Sequence, residues 1–429
     1  MENIYDLKEY KRSRKAYIAQ CSFEYFITLL VADAFLANLL SNMGISDSLT
    51  GIISSFISFA FLFQLLSLFL VKKIKDTKKS VVIFNCFSQL LFMCIYIVPF
   101  MPISHTAKTA LVIAFILFAY MFNYMISGVY FKWTNSFVEP TKRAEYSAVK
   151  ERISLLCGIV FTFTLGYAID AFNASGNTEG GFLFIAASMF VLNICNFVSL
   201  MMISKSNKSE EKREITPSIR EVLKNTVGNK NFTSVIIMTM LWYAARYMTI
   251  GFLGTFKTKD LAISVGAVQI INIISNLARF AVSKQFGKFS DRTSYATGIR
   301  IALIIEAAAN LFIIFAGPKT WWCVIIYSVL YNISIAGSNQ NSFNIAYSYV
   351  DSKYIVQAMA IKNSIGGIFG FLISLLGSKI LSAVQANGNK LFGIHLYGQQ
   401  LLAAVSFVIL TVTVIYIKYV IEKQRVIIQ

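Results

Sequence analysis

A charge at the centre of a bilayer costs at least ~2.5 kcal/mol on insertion scales, so the ionisable residues that interrupt apolar runs are the first candidates for chemistry. Glu24 and Asp33 lie in the first such run, nine residues apart. On one continuous helix that spacing sets them about half a turn out of phase, which predicts that only one of the two faces a cavity. A carboxylate there can bind and release a proton as its surroundings change, the requirement for proton coupling; the alternative is a structural hydrogen bond to a neighbouring helix. Further on, Trp242, Tyr243 and Arg246 fall at helical spacing on one face, with Tyr247 beside them. Such a face can stack a ring and grip an anionic or hydroxylated group.

Amides form a second pattern. Gln269, Asn272, Asn276 and Arg279 recur at helical steps along an otherwise apolar run, a stripe that must face protein or water and not lipid. Glu306 and Asn310 lie one turn apart in the next run, where Glu306 could neutralise Arg246 or Arg279. Asn332, Asn339, Gln340, Asn341 and Asn344, with Ser334 and Ser338, crowd the run after that, and Asn332 and Asn339 share a face. Asn123, Tyr124 and Tyr130 provide a comparable polar set earlier in the chain. Amides also hold membrane helices together, so part of this set is expected to be packing.

Other chemistries find no residues. Both histidines, His105 and His395, fall in loops, and the six cysteines lie in or at the ends of apolar segments without paired spacing, so no metal site or disulfide framework is expected. The segment Gly366-Gly367-Ile-Phe-Gly370 has no preceding strand and suits close helix packing better than phosphate binding. No cofactor is expected, and no catalytic residue: a membrane-embedded enzyme would show His, Asp or Glu clustered near one interface, which the loops lack.

The elements that must position these residues are helices in lipid. Of the 429 residues 56% are hydrophobic and 14% charged, with a mean hydropathy of +0.62, more apolar surface than one soluble core can hide. Apolar runs of the ~20 residues needed to cross a bilayer recur twelve times. The expected spans are 17–42, 48–71, 80–100, 108–131, 146–171, 181–204, 233–255, 262–284, 297–316, 319–345, 356–384 and 397–420. The runs are apolar on every side, which excludes the alternating strands of a membrane barrel. The net charge of +18 does not mark a nucleic-acid binder, because 31 of the 39 Lys and Arg fall in or near the termini and even-numbered loops. By the positive-inside rule both termini are cytoplasmic in a multi-pass inner-membrane protein. The polar start MENIYDLKEYKRSRK lacks the layout of a cleavable signal, so the first helix is expected to remain as an anchor. One long polar stretch separates a six-helix bundle at 1–204 from another at 232–429, with a linker at 205–231 in which Pro217 opens a short amphipathic helix.

The halves resemble each other. A shift of 215 residues superposes Gly51 on Gly266 and Asp76 on Asp291; a shift of 212 carries Lys150 and Gly158 onto Lys362 and Gly370. After the eighth span the chain reads Gly287-Lys-Phe-Ser-Asp291-Arg292, and its first-half counterpart is Lys72-Lys-Ile-Lys-Asp76-Thr77. The first of these resembles the G-x-x-x-D-R loop of the major facilitator superfamily, as does the twelve-span layout. The counterpart departs from it, with Lys72 at the glycine position and Thr77 at the arginine position. The resemblance implies two pseudo-symmetric bundles. It also implies a cytoplasmic charge latch at Asp76, Gly287, Asp291 and Arg292 that locks the outward-open state, and a cavity lined by spans 1, 4, 7 and 10. Span 9 is peripheral in that fold, which favours a structural role for Glu306.

The expected function is secondary active transport by alternating access, with a central site near the midplane between the two repeats. The expected solute is small, polar and organic, a sugar or related metabolite. Asn123, Tyr124, Trp242, Tyr243, Arg246, Asn332 and Asn339 are the candidate substrate contacts, and Glu24 and Asp33 the candidate proton sites. A monomer is expected, partnered by the bilayer, the solute and a proton. The alternatives are efflux of amphipathic drugs or peptides, which would want a greasier cavity, and a transporter-like sensor, which would want a signalling domain that the linker is too short to supply.

Overall fold

The sequence folds almost wholly into helices because lipid leaves backbone groups no partner except one another. The computed structural model describes residues 5, 7–67, 74, 76–139, 143–205, 219–351, 354–391 and 393–424. Among the described residues nine helices are long and apolar enough to cross a membrane, or ten when the bent pair Lys8–Leu30 and Asp33–Asn42 counts as one span. The helices Thr77–Cys94 and Cys323–Tyr347 bring the ten passes to twelve. The remaining passes run Asp47–Ser67, His105–Asn135, Arg143–Ala174, Thr178–Met202, Lys230–Asp260, Val265–Arg292, Tyr295–Ile314, Ile355–Ala386 and Gly398–Ile421. A two-residue antiparallel hairpin, Lys390–Leu391 with Ile394–His395, follows the eleventh pass.

Polar residues set where the passes begin. Ser46, Asp76, Ser104, Asn177 and Ser294 each accept a backbone N–H from the residue three positions on, satisfying donors that a helix start leaves open. Several passes outrun the apolar run that announces them. The eighth extends to Arg292, because Lys-Gln-Phe-Gly-Lys-Phe-Ser continues the helical hydrogen bonds after hydrophobicity ends. The first begins at Lys8 and is not continuous: it breaks after Leu30, bends by 42° and resumes at Asp33, whose φ is +46°. Asp is among the few residues that tolerate this conformation. Pro217 lies outside the described residues, while the short helix expected after it is present at Ile219–Asn225.

The described chain forms two compact units. One contains residues 1–45, 63–214 and 264–269; the other contains 46–62, 215–263 and 270–429. In the first unit the first span packs on the fifth and sixth, and the third on the fourth. The fifth span meets the start of the eighth closely: a Cβ on Gly166 would lie 3.1 Å from Gly266 Cα, and the Asp170 carboxylate accepts the N–H groups of Val265 (3.1 Å) and Gly266 (2.8 Å). In the second unit the seventh span packs on the eleventh and twelfth, and the ninth on the tenth. The second span joins this unit at the glycines Gly367 and Gly370, while Gly366 lies against Thr239 and Tyr243 of the seventh span. A Cβ on Gly367 would lie 2.3 Å from the Ser58 carbonyl oxygen, so this glycine admits a neighbouring backbone, the close helix packing its sequence suggested.

Candidate functional site

Each unit holds a polar cluster built around a carboxylate inside its helices. In the first, Glu24 is half-buried on the first span. Its Oε1 accepts from Asn123 Nδ2 at 2.8 Å and from Gln89 Nε2 at 3.4 Å, and its Oε2 accepts from Gln20 Nε2 at 2.9 Å. Three amides from the first, third and fourth spans therefore hold one carboxylate, with no cation within ion-pair distance among the described residues. The network extends inward: Gln20 also donates to Asn196 Oδ1 (2.9 Å), Asn196 donates to Asn85 Oδ1 (2.8 Å), and the Tyr130 hydroxyl donates to Gln20 Oε1. Gln20, Gln89, Asn85 and Asn196 are all buried.

An amide can turn end for end and offer either a donor or an acceptor. Gln89 Oε1 is buried without a partner among the described residues, so a turn of this amide would present an acceptor to a protonated Glu24. The cluster therefore suits both protonation states of the carboxylate. Asp33 belongs to a different place. It starts the second half of the broken span, so the half-turn phase argument for one continuous helix does not apply to it. Tyr124 is half-buried one residue beyond Asn123, a step of about 100° around the helix from the side chain that reaches Glu24.

The second unit gathers Trp242, Arg246, Glu306, Tyr331 and Ser334. Glu306 is 1% exposed, and its Oε2 accepts from Trp242 Nε1 and from Ser334 Oγ, each at 3.1 Å. One carboxylate thus ties the seventh, ninth and tenth spans. It is not in ion-pair contact with Arg246 among the described residues. Instead the guanidinium carbon of Arg246 lies 5.9 Å from the ring centre of Trp242 and 5.9 Å from that of Tyr331. Tyr331 in turn stacks on Tyr327 with centroids 5.6 Å apart, while Tyr243 packs edge-on between Trp242 and Tyr247. Asn332 donates to the Ser328 carbonyl of its own helix at 3.0 Å, and Asn339 is exposed. The structure therefore brings Trp242, Tyr243 and Arg246 together as their spacing predicts, while the side-chain amide of Asn332 is turned to its own helix.

The eighth-span stripe divides. Gln269 is buried and packs at Gly166 in the first unit, whereas Asn272, Asn276 and Arg279 are half-buried residues of the second. Ile270, Ile274, Leu277 and Phe280 of the same helix are exposed, which puts lipid-compatible side chains on another face.

Among the latch candidates, Asp76 caps the third span through the Lys79 N–H at 3.0 Å and pairs with Lys205 at 3.2 Å. The backbone hydrogen bond from Lys79, then the Lys205 ammonium, hold its carboxyl below the usual carboxylate range. Gly287 lies inside the eighth helix and not in a loop, where a Cβ would meet the Gln340 amide at 3.2 Å. Asp291 and Arg292 are exposed in that helix's last turn. Lys72, the departure noted in the first-half loop, lies outside the described residues.

Two sets of residues carry no sequence signal of their own. Asp47 is 3% exposed and binds Lys259 Nζ (3.1 Å) and Gln385 Nε2 (2.7 Å), linking the second, seventh and eleventh spans. Asp170 caps the eighth span from the fifth. Both carboxylates sit near span ends, where a charge looks ordinary. For the Glu24 cluster a signal did exist: Gln20 and Glu24, and likewise Asn85 and Gln89, are four residues apart on one helix face. No group of three or more His, Cys, Asp or Glu suited to a metal occurs among the described residues. A groove of about 630 Å³ along the fifth span, lined by Leu156, Cys157, Val160, Phe161, Thr164 and Leu165, is apolar apart from a threonine bonded to its own helix. It touches neither polar cluster.

A family model described as Major Facilitator Superfamily matches residues 16–374. No curated protein matches the chain. Among solved structures, a single-residue variant of the nucleoside transporter NupG is similar at a TM-score of 0.74 and 13% identity, covering 94% of this chain and 98% of that one. A bacterial homologue of the human lysosomal transporter Spinster gives 0.65 at 13% identity, over 97% of each chain. A D-xylose-proton symporter gives 0.64 at 12%, over 92% of this chain and 96% of that one. At these identities the likeness is one of fold.

Proposed function

We propose, from the premise that this chain belongs to the major facilitator superfamily, that it moves a small polar organic solute across the cytoplasmic membrane by secondary active transport coupled to protons. It is a membrane transporter, not an enzyme. The observation that carries the finer reading is Glu24: a carboxylate inside a span, held by three amides and, among the described residues, by no cation. Proton uptake there removes a charge from the membrane interior, and the amides satisfy either form. Alternating access between the bundles 1–204 and 232–429 would then be biased by whether that charge is present.

The polar organic class is supported by the aromatic and guanidinium side chains gathered at Trp242, Tyr243 and Arg246. The nucleoside transporter and the D-xylose-proton symporter of similar fold are named for polar organic solutes. The distribution of Lys and Arg supports cytoplasmic termini. The test is uptake of a mixed metabolite pool into vesicles bearing the purified chain, as a monomer, with and without an imposed inward proton gradient. Gradient-stimulated uptake of a polar metabolite is expected; no solute moving faster than in empty vesicles under either condition would refute the proposal.

A further inference from the structure

Arg246, inside the second unit, carries a charge without a hydrogen-bonded counterpart among the described residues. Arg246 Nε is buried without a hydrogen-bond partner there, and the Tyr331 hydroxyl beside it is likewise buried and unpartnered. Glu306, the carboxylate of this cluster, spends its Oε2 on Trp242 and Ser334. The two rings that flank the guanidinium, at 5.9 Å each, offer their faces, which attract a cation but leave its in-plane N–H groups unused. Arg246 as a residue is half-buried, while its Nε and the Tyr331 hydroxyl are themselves buried.

We infer that this site takes an oxyanion: the transported solute is a small organic acid whose carboxylate or phosphate binds Arg246 and the Tyr331 hydroxyl. The assignment rests on the transport reading above and narrows its solute class from polar organic solutes to acids. The chemistry follows from the two orphaned groups. A guanidinium presents N–H donors in a planar fork that matches two oxygens of one anion, and the phenol adds a third donor. Glu306 compensates the guanidinium only through space, so a neutral hydroxylated solute would use these donors without the direct charge pairing that an anion adds. The aromatic faces of Trp242 and Tyr243, and the Tyr327–Tyr331 stack, give the body of the solute a flat surface to rest against. Glu306 is a positioning residue for this site, because it fixes the indole that fixes the guanidinium.

The test is equilibrium binding to the full chain in detergent, read by thermal stabilisation and by tryptophan fluorescence. It needs neither membrane nor gradient, so its failure is separate from failure of the transport reading. The probes are D-glucose, D-glucuronate, D-glucose 6-phosphate, benzoate and inorganic phosphate. Glucuronate against glucose isolates the carboxylate; the phosphate probes show whether phosphate replaces it. Stabilisation by at least one oxyanion probe is expected, with little from glucose. Arg246→Gln should weaken that probe at least tenfold, Arg246→Lys should restore part of the affinity, and Tyr331→Phe should weaken it severalfold at unchanged fold. Glucose binding as well as the acids, or oxyanion stabilisation that survives Arg246→Gln, would overturn the inference. So would the absence of any Arg246-dependent effect across all five probes. Circular dichroism of Arg246→Gln separates lost binding from lost folding, and Tyr331→Phe supplies the same comparison with less disturbance.

Discussion

Replacing Glu306 by alanine removes the acceptor on which two buried donors depend. Trp242 Nε1 and Ser334 Oγ both end on Glu306 Oε2 at 3.1 Å, in a position 1% exposed where water does not substitute. A buried donor left without an acceptor costs ~1–3 kcal/mol, so two set the loss at roughly 2–6 kcal/mol before any cavity is counted. Glu306→Gln keeps one carbonyl oxygen, and because both donors share a single oxygen it should lose less than Glu306→Ala. The assay is reversible unfolding in mixed detergent, followed by tryptophan fluorescence, for the native chain, each single variant and the double variant with Trp242→Phe. Residues in direct contact couple by about 0.5–3 kcal/mol, and a coupling in that range is expected between Glu306 and Trp242. Additive losses within ~0.5 kcal/mol, or a Glu306→Ala variant as stable as the native chain, would refute the claim that this carboxylate ties three spans together.

Breaking the Asp47 cluster should be asymmetric. Lys259→Met strands a carboxylate that is 3% exposed and should cost about 1–3 kcal/mol, whereas Asp47→Asn frees an amine that is 56% exposed and should cost less; equal losses in the same unfolding assay would contradict this. Gly367→Ala places a methyl 2.3 Å from the Ser58 carbonyl oxygen, and forcing the second and eleventh spans apart should destabilise the chain by about 1–3 kcal/mol. An alanine variant of native stability would show that the two spans need no close approach there. Asp76 has its carboxyl held low by Lys79 and Lys205, so what it contributes is fully present at neutral pH and lost only as pH falls below the ordinary carboxylate range. The ratio of native to Asp76→Asn activity should therefore be flat between about pH 6 and 8, and a break in that window would contradict the assignment.

The sequence made the passes legible because lipid demands long apolar helices, and Trp242, Tyr243 and Arg246 came together because i, i+3 and i+4 neighbours share a face whatever surrounds them. What depended on contacts between distant residues was not legible. Gln89 and Asn123 reach Glu24 from separate spans and Asn196 joins it through Gln20, and only local i+4 pairs hinted at this network. Glu24 and Asp33 do not share one continuous helix, because the span breaks at residues 31 and 32, and such a break leaves no mark in hydropathy. Glu306 illustrates the intermediate case. Its structural role was readable, but its pairing with Arg246 takes no ion-pair form, since the carboxylate goes to an indole and a hydroxyl. Asp47 and Asp170 look like ordinary loop charges until the helices they cap or bridge are in place.

The most direct test of proton coupling at Glu24 separates gradient-driven uptake from solute exchange in the same vesicles. The native chain should show both proton-stimulated uptake and counterflow of labelled against unlabelled solute. Glu24→Gln keeps an oxygen for Asn123 and a similar volume but cannot bind and release the proton. The account predicts that this variant retains counterflow and loses stimulation by the gradient. Proton-stimulated uptake that persists in Glu24→Gln would place the coupling elsewhere and contradict the account.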